Sequence, residues 1–80
     1  MEIKILFFGI TTDLVGTSNL DFVLSDASTV LDFKNLLKKK YPRLENLDAY
    51  TIAVNEVYAE DDLILKESDE VAVIPPVSGG

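Results

Sequence analysis

Apolar and polar positions alternate with period two from Met1 to Phe8, where Ile3, Ile5 and Phe7 interleave with Glu2, Lys4 and Leu6. That pattern predicts a strand. Met1 to Lys4 divides into a buried and a solvated side. From Leu6 to Phe8 both sides are apolar, so this end either lies central and covered or offers its outer side as a contact surface. Gly9 to Asn19 carries two glycines and a polar cluster and reads as a loop. Leu20, Phe22 and Leu24 alternate with Asp21 and Val23, which predicts a second strand, paired antiparallel with the first across a long connection. Ser25-Asp26-Ala27-Ser28-Thr29 marks a turn and a helix start, with Ser28 or Asp26 as the N-cap. Val30, Phe33, Leu37 and Tyr41 come next at spacings of three and four, one helical face that Leu31 and Leu36 widen. Lys38-Lys39-Lys40 fall in the last turn, where cations complement the helix dipole, and Pro42 forbids continuation.

Arg43 to Ala49 reads as an irregular link. Tyr50 to Val54 predicts a short strand with Ile52 and Val54 facing one way, Asn55-Glu56 a turn, and Val57-Tyr58-Ala59 a brief edge strand. Glu60-Asp61-Asp62 forms a solvated acidic turn, after which Leu63 and Leu65 pin the chain to the core. Lys66 to Asp69 is a polar turn and Glu70 to Ile74 the last strand, with Val71 and Val73 on one face. The first and last strands are apolar on both sides and belong together in the middle of a mixed sheet, with one main helix packed across it. The fold class is α+β.

Eighty residues make a single domain, and at 48% apolar the chain can bury a core. With no cysteine and no histidine, a disulfide scaffold, a thiolate metal site and the commonest general base are excluded, and no metal site is expected. A net charge of −7 argues against nucleic acid, which needs clustered Lys and Arg, and favours a basic partner surface. No apolar run approaches the ~20 residues that span a bilayer, and Met1 to Lys4 lacks the regions of a signal peptide. The expected setting is cytoplasmic, away from the membrane. The acidic pairs Asp61-Asp62 and Asp69-Glu70 lack supporting ligands and read as solvated turns. Ser18 and Ser78 have no base to activate them, and Gly9 and Gly16 do not form a phosphate cradle.

The chain ends Pro75-Pro76-Val77-Ser78-Gly79-Gly80. Two prolines stop the strand and stiffen the residues after it. Two glycines then leave backbone without side chains, able to enter a narrow channel. The expected organisation is a domain over 1–74 and a flexible tail over 75–80. A terminal carboxylate is a poor electrophile until activated. Adenylation would turn it into a mixed anhydride open to sulfur or an amine.

The stretch Glu67-Ser68-Asp69-Glu70-Val71-Ala72-Val73-Ile74 with this ending resembles the small, sulfur-carrier subunits of molybdopterin synthase, which close on an acidic turn, a "DEVA" strand, two prolines and Gly-Gly. Ile52-Ala53-Val54-Asn55 is similar to their central strand, and Leu6-Phe7-Phe8-Gly9 with Leu14-Val15-Gly16 to their first strand and loop. The resemblance runs the length of the chain. It implies a β-grasp, ubiquitin-like fold and a sulfur carrier without catalysis of its own. An E1-like adenylyltransferase using ATP would adenylate Gly80, and the chain itself would bind no cofactor. Sulfur delivery would give a thiocarboxylate. In a heterotetramer with the large catalytic subunit it would donate sulfur to precursor Z, the cyclic pyranopterin monophosphate. Gly79 would permit threading, and Pro75, Pro76, Val77 and Ser78 would line the channel. The resemblance also implies partner docking on an apolar sheet face. Leu6, Phe8, Ala53, Ala72 and Ile74 are the candidates, because alternation calls for polar residues there and they are missing.

Two positions depart from the pattern. Thr12-Asp13 stand where an Arg and an acidic residue are usual, and Ser68-Asp69 where Gly-Asp is usual. Ser tolerates positive φ poorly, so the second departure bears on turn geometry. Three other readings remain open from sequence: a carrier for thiamin or tRNA thiolation, a protein modifier joined through Gly80 to a lysine, and an interaction domain with an inert tail.

Overall fold

The computed structural model describes residues 1–44 and 49–76. Its elements, in order, are β1 (Glu2–Phe7), α1 (Ile10–Val15), β2 (Asn19–Val23), α2 (Val30–Lys40), β3 (Thr51–Val54), β4 (Val57–Tyr58) and β5 (Glu70–Ile74). The strands form one sheet in the order β2-β1-β5-β3-β4. β1 and β5 pair in parallel, and every other neighbouring pair is antiparallel. The central placement of first and last strands agrees with their double-sided apolarity, and the whole is a β-grasp, ubiquitin-like fold. Among the described residues no helix is long and apolar enough to cross a membrane.

One face of the sheet carries the core. Ile3, Ile5 and Phe7 of β1, Val71 and Val73 of β5, and Ile52 and Val54 of β3 meet Val30, Phe33 and Leu37 of α2. Phe22 stands edge-on to Phe33 with ring centroids 6.0 Å apart, a favourable geometry for two ring quadrupoles. Lys40 ends α2 with its Nζ 5.5 Å from the Phe22 centroid and 5.9 Å from that of Tyr41, so the end of the lysine run closes this corner of the core.

Four local expectations are corrected. The segment after Gly9 is not wholly loop, because Ile10–Val15 forms a short helix. Its start is held by the fully buried Thr11, whose Oγ1 accepts from the Phe8 amide at 3.0 Å and donates to the Phe8 carbonyl. Gly16, at φ 90°, closes it and donates to Thr12 O at 2.8 Å. The N-cap of α2 is Thr29, not Ser28 or Asp26. Thr29 Oγ1 accepts from Asp32 N at 3.2 Å while Asp32 Oδ2 accepts from Thr29 N at 3.0 Å. Only Thr29 has an acidic residue three positions on to complete this reciprocal box. Ser28 instead donates its hydroxyl to Ser25 O.

The third correction concerns the flank of α2. Leu31 and Leu36 stay half-exposed, and Lys34 is the buried one, at 7% exposure. The cause is the 60–65 segment, which lies against the start of α2. Leu63 O accepts from Val30 N at 2.9 Å, and Asp61 O accepts from Leu31 N at 3.0 Å, supplying two helix-end amides with partners. Asp61 then reaches Lys34 Nζ with Oδ1 at 2.7 Å, while Glu60, Asp61 and Asp62 all stay exposed, as the sequence predicts for this acidic turn. Fourth, Leu65 is buried but Leu63 is not. Leu63 pins the loop through its carbonyl rather than its side chain.

The Lys34–Asp61 pair allows a sign test. Asp61→Ala leaves a buried ammonium unpartnered and is expected to cost about 1–3 kcal/mol. Lys34→Met removes the charge with its partner's task, keeps the volume, and is expected to stay within about 1 kcal/mol of the parent. Urea unfolding of both variants checks this. Equal losses would mean that the pair is not what holds the loop.

The β3–β4 turn is locked to the start of β5. Asn55 and Glu56 take φ 51° and 70°, the left-handed pair of a two-residue hairpin. Asn55 donates Nδ2 to Asp69 Oδ1 at 2.9 Å and accepts from Glu70 N at 3.0 Å, while Lys66 N reaches Asp69 Oδ2 at 2.8 Å. Ser68 adopts φ 68°. The turn therefore keeps the geometry that glycine would favour, and serine bears the strain.

Candidate functional site

The other face of the sheet has no helix over it. Register places Leu6 beside Ala72, Ala72 beside Ala53 and Ala53 beside Tyr58, one row running across β1, β5, β3 and β4. Ile74 lies beside Thr51 one step further along. At the opposite end of the same face, Lys4 sits between Asp21 and Glu70. The outer face is thus apolar towards the C-terminal end of β5 and charged towards its beginning.

Leu6, Ala72 and Ile74 are half-buried on this face, and Phe8, just past β1, is exposed. The alternation that puts Ile5, Phe7, Val71 and Val73 in the core leaves them facing outward. Ala53 needs a correction. It belongs to the row but is only 5% exposed, because a single methyl sits low between Ala72 and Tyr58. It forms floor, not a protruding contact. Two residues were missed from sequence. Tyr58 is 78% exposed. Its place was signalled by the two-residue Asn55-Glu56 turn, which pairs Val54 with Val57 and hence Ala53 with Tyr58. Ile10, exposed on α1, was hidden by reading its segment as loop.

The tail begins at this apolar end, since β5 runs parallel to β1 and both finish there. Gly9, at φ 58°, marks the place. A Cβ on Gly9 would lie 3.2 Å from Pro75 Cγ, tighter than most side chains tolerate, and the backbone there is left-handed. The absent side chain therefore makes a seat for the Pro75 ring, which is half-buried, while Pro76 is exposed. Val77, Ser78, Gly79 and Gly80 lie outside the described residues, as do residues 45–48 of the link before β3. Among the described residues no group of acidic side chains could hold a metal ion. The described root of the tail, Pro75, thus leaves β5 after Ile74 at the apolar end of the outer face and packs against Gly9, next in the chain to the exposed Phe8.

The model of the ThiS family matches residues 5–80. This chain belongs to the ThiS family. The molybdopterin synthase sulfur carrier subunit of Arabidopsis thaliana is 37% identical over all of this chain and 84% of its own length. Of solved structures, a molybdopterin converting factor subunit 1 from Pyrococcus furiosus superposes with a TM-score of 0.88 at 28% identity, covering 96% of this chain and 99% of its own. A complex of subunits 1 and 2 of molybdopterin-converting factor from Helicobacter pylori contains a chain with a TM-score of 0.71 at 26% identity, with full coverage of both chains. The ThiS-family match takes in β5 and the whole Pro-Pro-Val-Ser-Gly-Gly ending, the parts that set this site apart from a plain sheet face.

Proposed function

We propose that this chain is the sulfur-carrier subunit of a molybdopterin synthase. The observation that carries the reading is the full-length likeness to a protein of that name, with a Gly-Gly end rooted in an apolar face. The chemistry belongs to the tail. An activating enzyme would bring ATP, and the Gly80 carboxylate would attack its α-phosphorus with release of pyrophosphate. Hydrosulfide from the sulfur donor would then attack the acyl carbon, displacing AMP and leaving a thiocarboxylate. The chain contributes no acid, base or cofactor to these steps. Its part is to present a narrow end: Gly79 carries no side chain to obstruct entry, and Pro75 to Ser78 would line the partner's channel. The activating enzyme and the large synthase subunit would both dock on Leu6, Phe8, Ala72 and Ile74, with Ala53 beneath. For the large subunit, the support is that a similar chain from Helicobacter pylori is found in complex with a subunit 2.

Intact mass of the untagged chain, purified from its own cells, tests this directly. The expected result is a fraction heavier by one sulfur-for-oxygen exchange, absent when Gly80 is deleted. The fraction should grow on incubation with ATP, a sulfur donor and the cognate activating enzyme. A mass that stays unshifted under those conditions would sink the carrier reading. Conjugates with other proteins that survive denaturation would replace it with a modifier.

A further inference from the structure

A second apolar surface lies away from the tail, in a cleft of about 540 Å³ between the β3–β4 hairpin and the 60–66 segment. Val54 is in its floor, and Val57, Leu63 and Ile64 are on its walls. Val57 is 68%, Ile64 54% and Leu63 42% exposed, three aliphatic side chains gathered at one cleft. Val57 pairs with Val54 on the core side, but β4 is the outermost strand, and Val57 is left exposed there. Both walls are braced. The hairpin is tied to β5 through Asn55, Asp69 and Glu70, and the 60–66 segment is tied to α2 through Leu63 O, Asp61 O and the Lys34–Asp61 pair. A braced cleft costs little to order on binding, which makes it a better receptor than a mobile loop would be.

Charge selects the occupant. Glu60 and Asp62 stand on the lining with one lysine, Lys66, and the whole chain carries −7. A second copy would bring the same acidic rim and be repelled. The chain's own tail starts at the other end of β5, about 17 Å of strand away. A foreign segment with cations around an apolar anchor fits both the walls and the rim. We propose that the cleft is a docking site for a basic segment of a partner protein, which inserts an aliphatic or aromatic side chain between Val57, Leu63 and Ile64 and sets Lys or Arg against Glu60 and Asp62. The site is independent of the carrier reading, because it requires neither Gly80 nor the outer sheet face.

Methyl NMR of the labelled full chain tests it, with an acetylated Lys-Phe-Lys-Leu-Lys peptide as the probe and Glu-Phe-Glu-Leu-Glu as its counterpart. The expected result is a saturable shift of the Val57, Leu63 and Ile64 methyls with the basic peptide alone, weakening as salt is raised. Ile64→Lys should weaken binding about tenfold or more, since it removes apolar contact and repels the probe. Val57→Lys, on an exposed edge where lysine is well tolerated, should do the same without change in melting temperature. Absence of a saturable shift, equal response to the acidic peptide, or shifts mapped to Leu6, Ala72 and Ile74 would each overturn the proposal.

Discussion

On the proposed reading, replacing Ala72 with arginine will weaken binding to the large subunit of a molybdopterin synthase while leaving the chain folded. Ala72 occupies the middle of the outer row, flanked by Leu6 on β1 and Ala53 on β5's other neighbour, β3. It is half-buried even in the free chain. A docked partner would seal it completely. A guanidinium introduced there has two outcomes, both unfavourable: it is buried without a counter-charge, or it props the surfaces apart. Uncompensated charge at an interface centre costs about 2–5 kcal/mol, so affinity should fall about thirtyfold or more. The substitution touches none of the core positions, and the outer face of the sheet has room for a long side chain, so the melting temperature should hardly move. Titration calorimetry against the large subunit, with thermal unfolding as control, decides the matter. Affinity within about threefold of the parent would show that partners do not dock on this face. The charged end of the same face predicts a much smaller effect: Lys4 lies among Asp21 and Glu70, at a rim where charges adjust rates more than affinity.

The contrast between the two halves of that face shows what a sequence can reveal. Alternation is broken at Leu6, Ala72 and Ile74, and the structure gathers the three on the sheet face that carries no helix. Lys4, Asp21 and Glu70 obey the pattern and mark where it ends. The strands and α2 were legible for the same reason, as each repeats one periodic signal over several residues. What failed was decided by partners remote in sequence or by motifs too short to repeat. Lys34 is buried because Asp61, far along the chain, arrives beside it. Leu31 and Leu36 keep helical spacing yet stay outside the core. Ile10–Val15 is one and a half turns long, and its Thr11-Thr12-Asp13 run is poor in helix formers, so nothing local announced it. Three neighbouring residues could all have capped α2, and only the Asp32 side chain singles out Thr29. The Val54-Asn55 and Asp69-Glu70 motifs, read as family marks, prove to be two halves of one lock. Asn55 grips both residues of the second pair, which is a structural task and not a catalytic one.

Phe33→Ala will cause a large loss of stability, read as a steep fall in melting temperature. Phe33 is fully buried at the centre of α2's inner face, and it meets Phe22 edge-on. Truncation removes a ring from a close-packed interior that cannot collapse onto the gap, because the strands below are fixed by the sheet. Such changes cost about 3–5 kcal/mol. A domain of this size holds only about 4–12 kcal/mol in total, so the loss consumes from about a quarter to all of the margin. The melting temperature should drop by about 15–30 °C. Phe33→Leu keeps most of the volume and forfeits chiefly the ring-to-ring contact, so it should lose only about 1–2 kcal/mol. Leu36→Ala, three residues along the same helix but half-exposed, should cost less than about 1 kcal/mol. Thermal unfolding of the three variants in parallel is the measurement. A small effect at Phe33, or a large one at Leu36, would mean that α2 presents a different face to the sheet. Losing the Phe33 ring should also act on the root of the tail. Val73 and Phe7 share that core, and they precede Ile74, Pro75 and Gly9, so a loosened core releases the seat from which the tail is aimed.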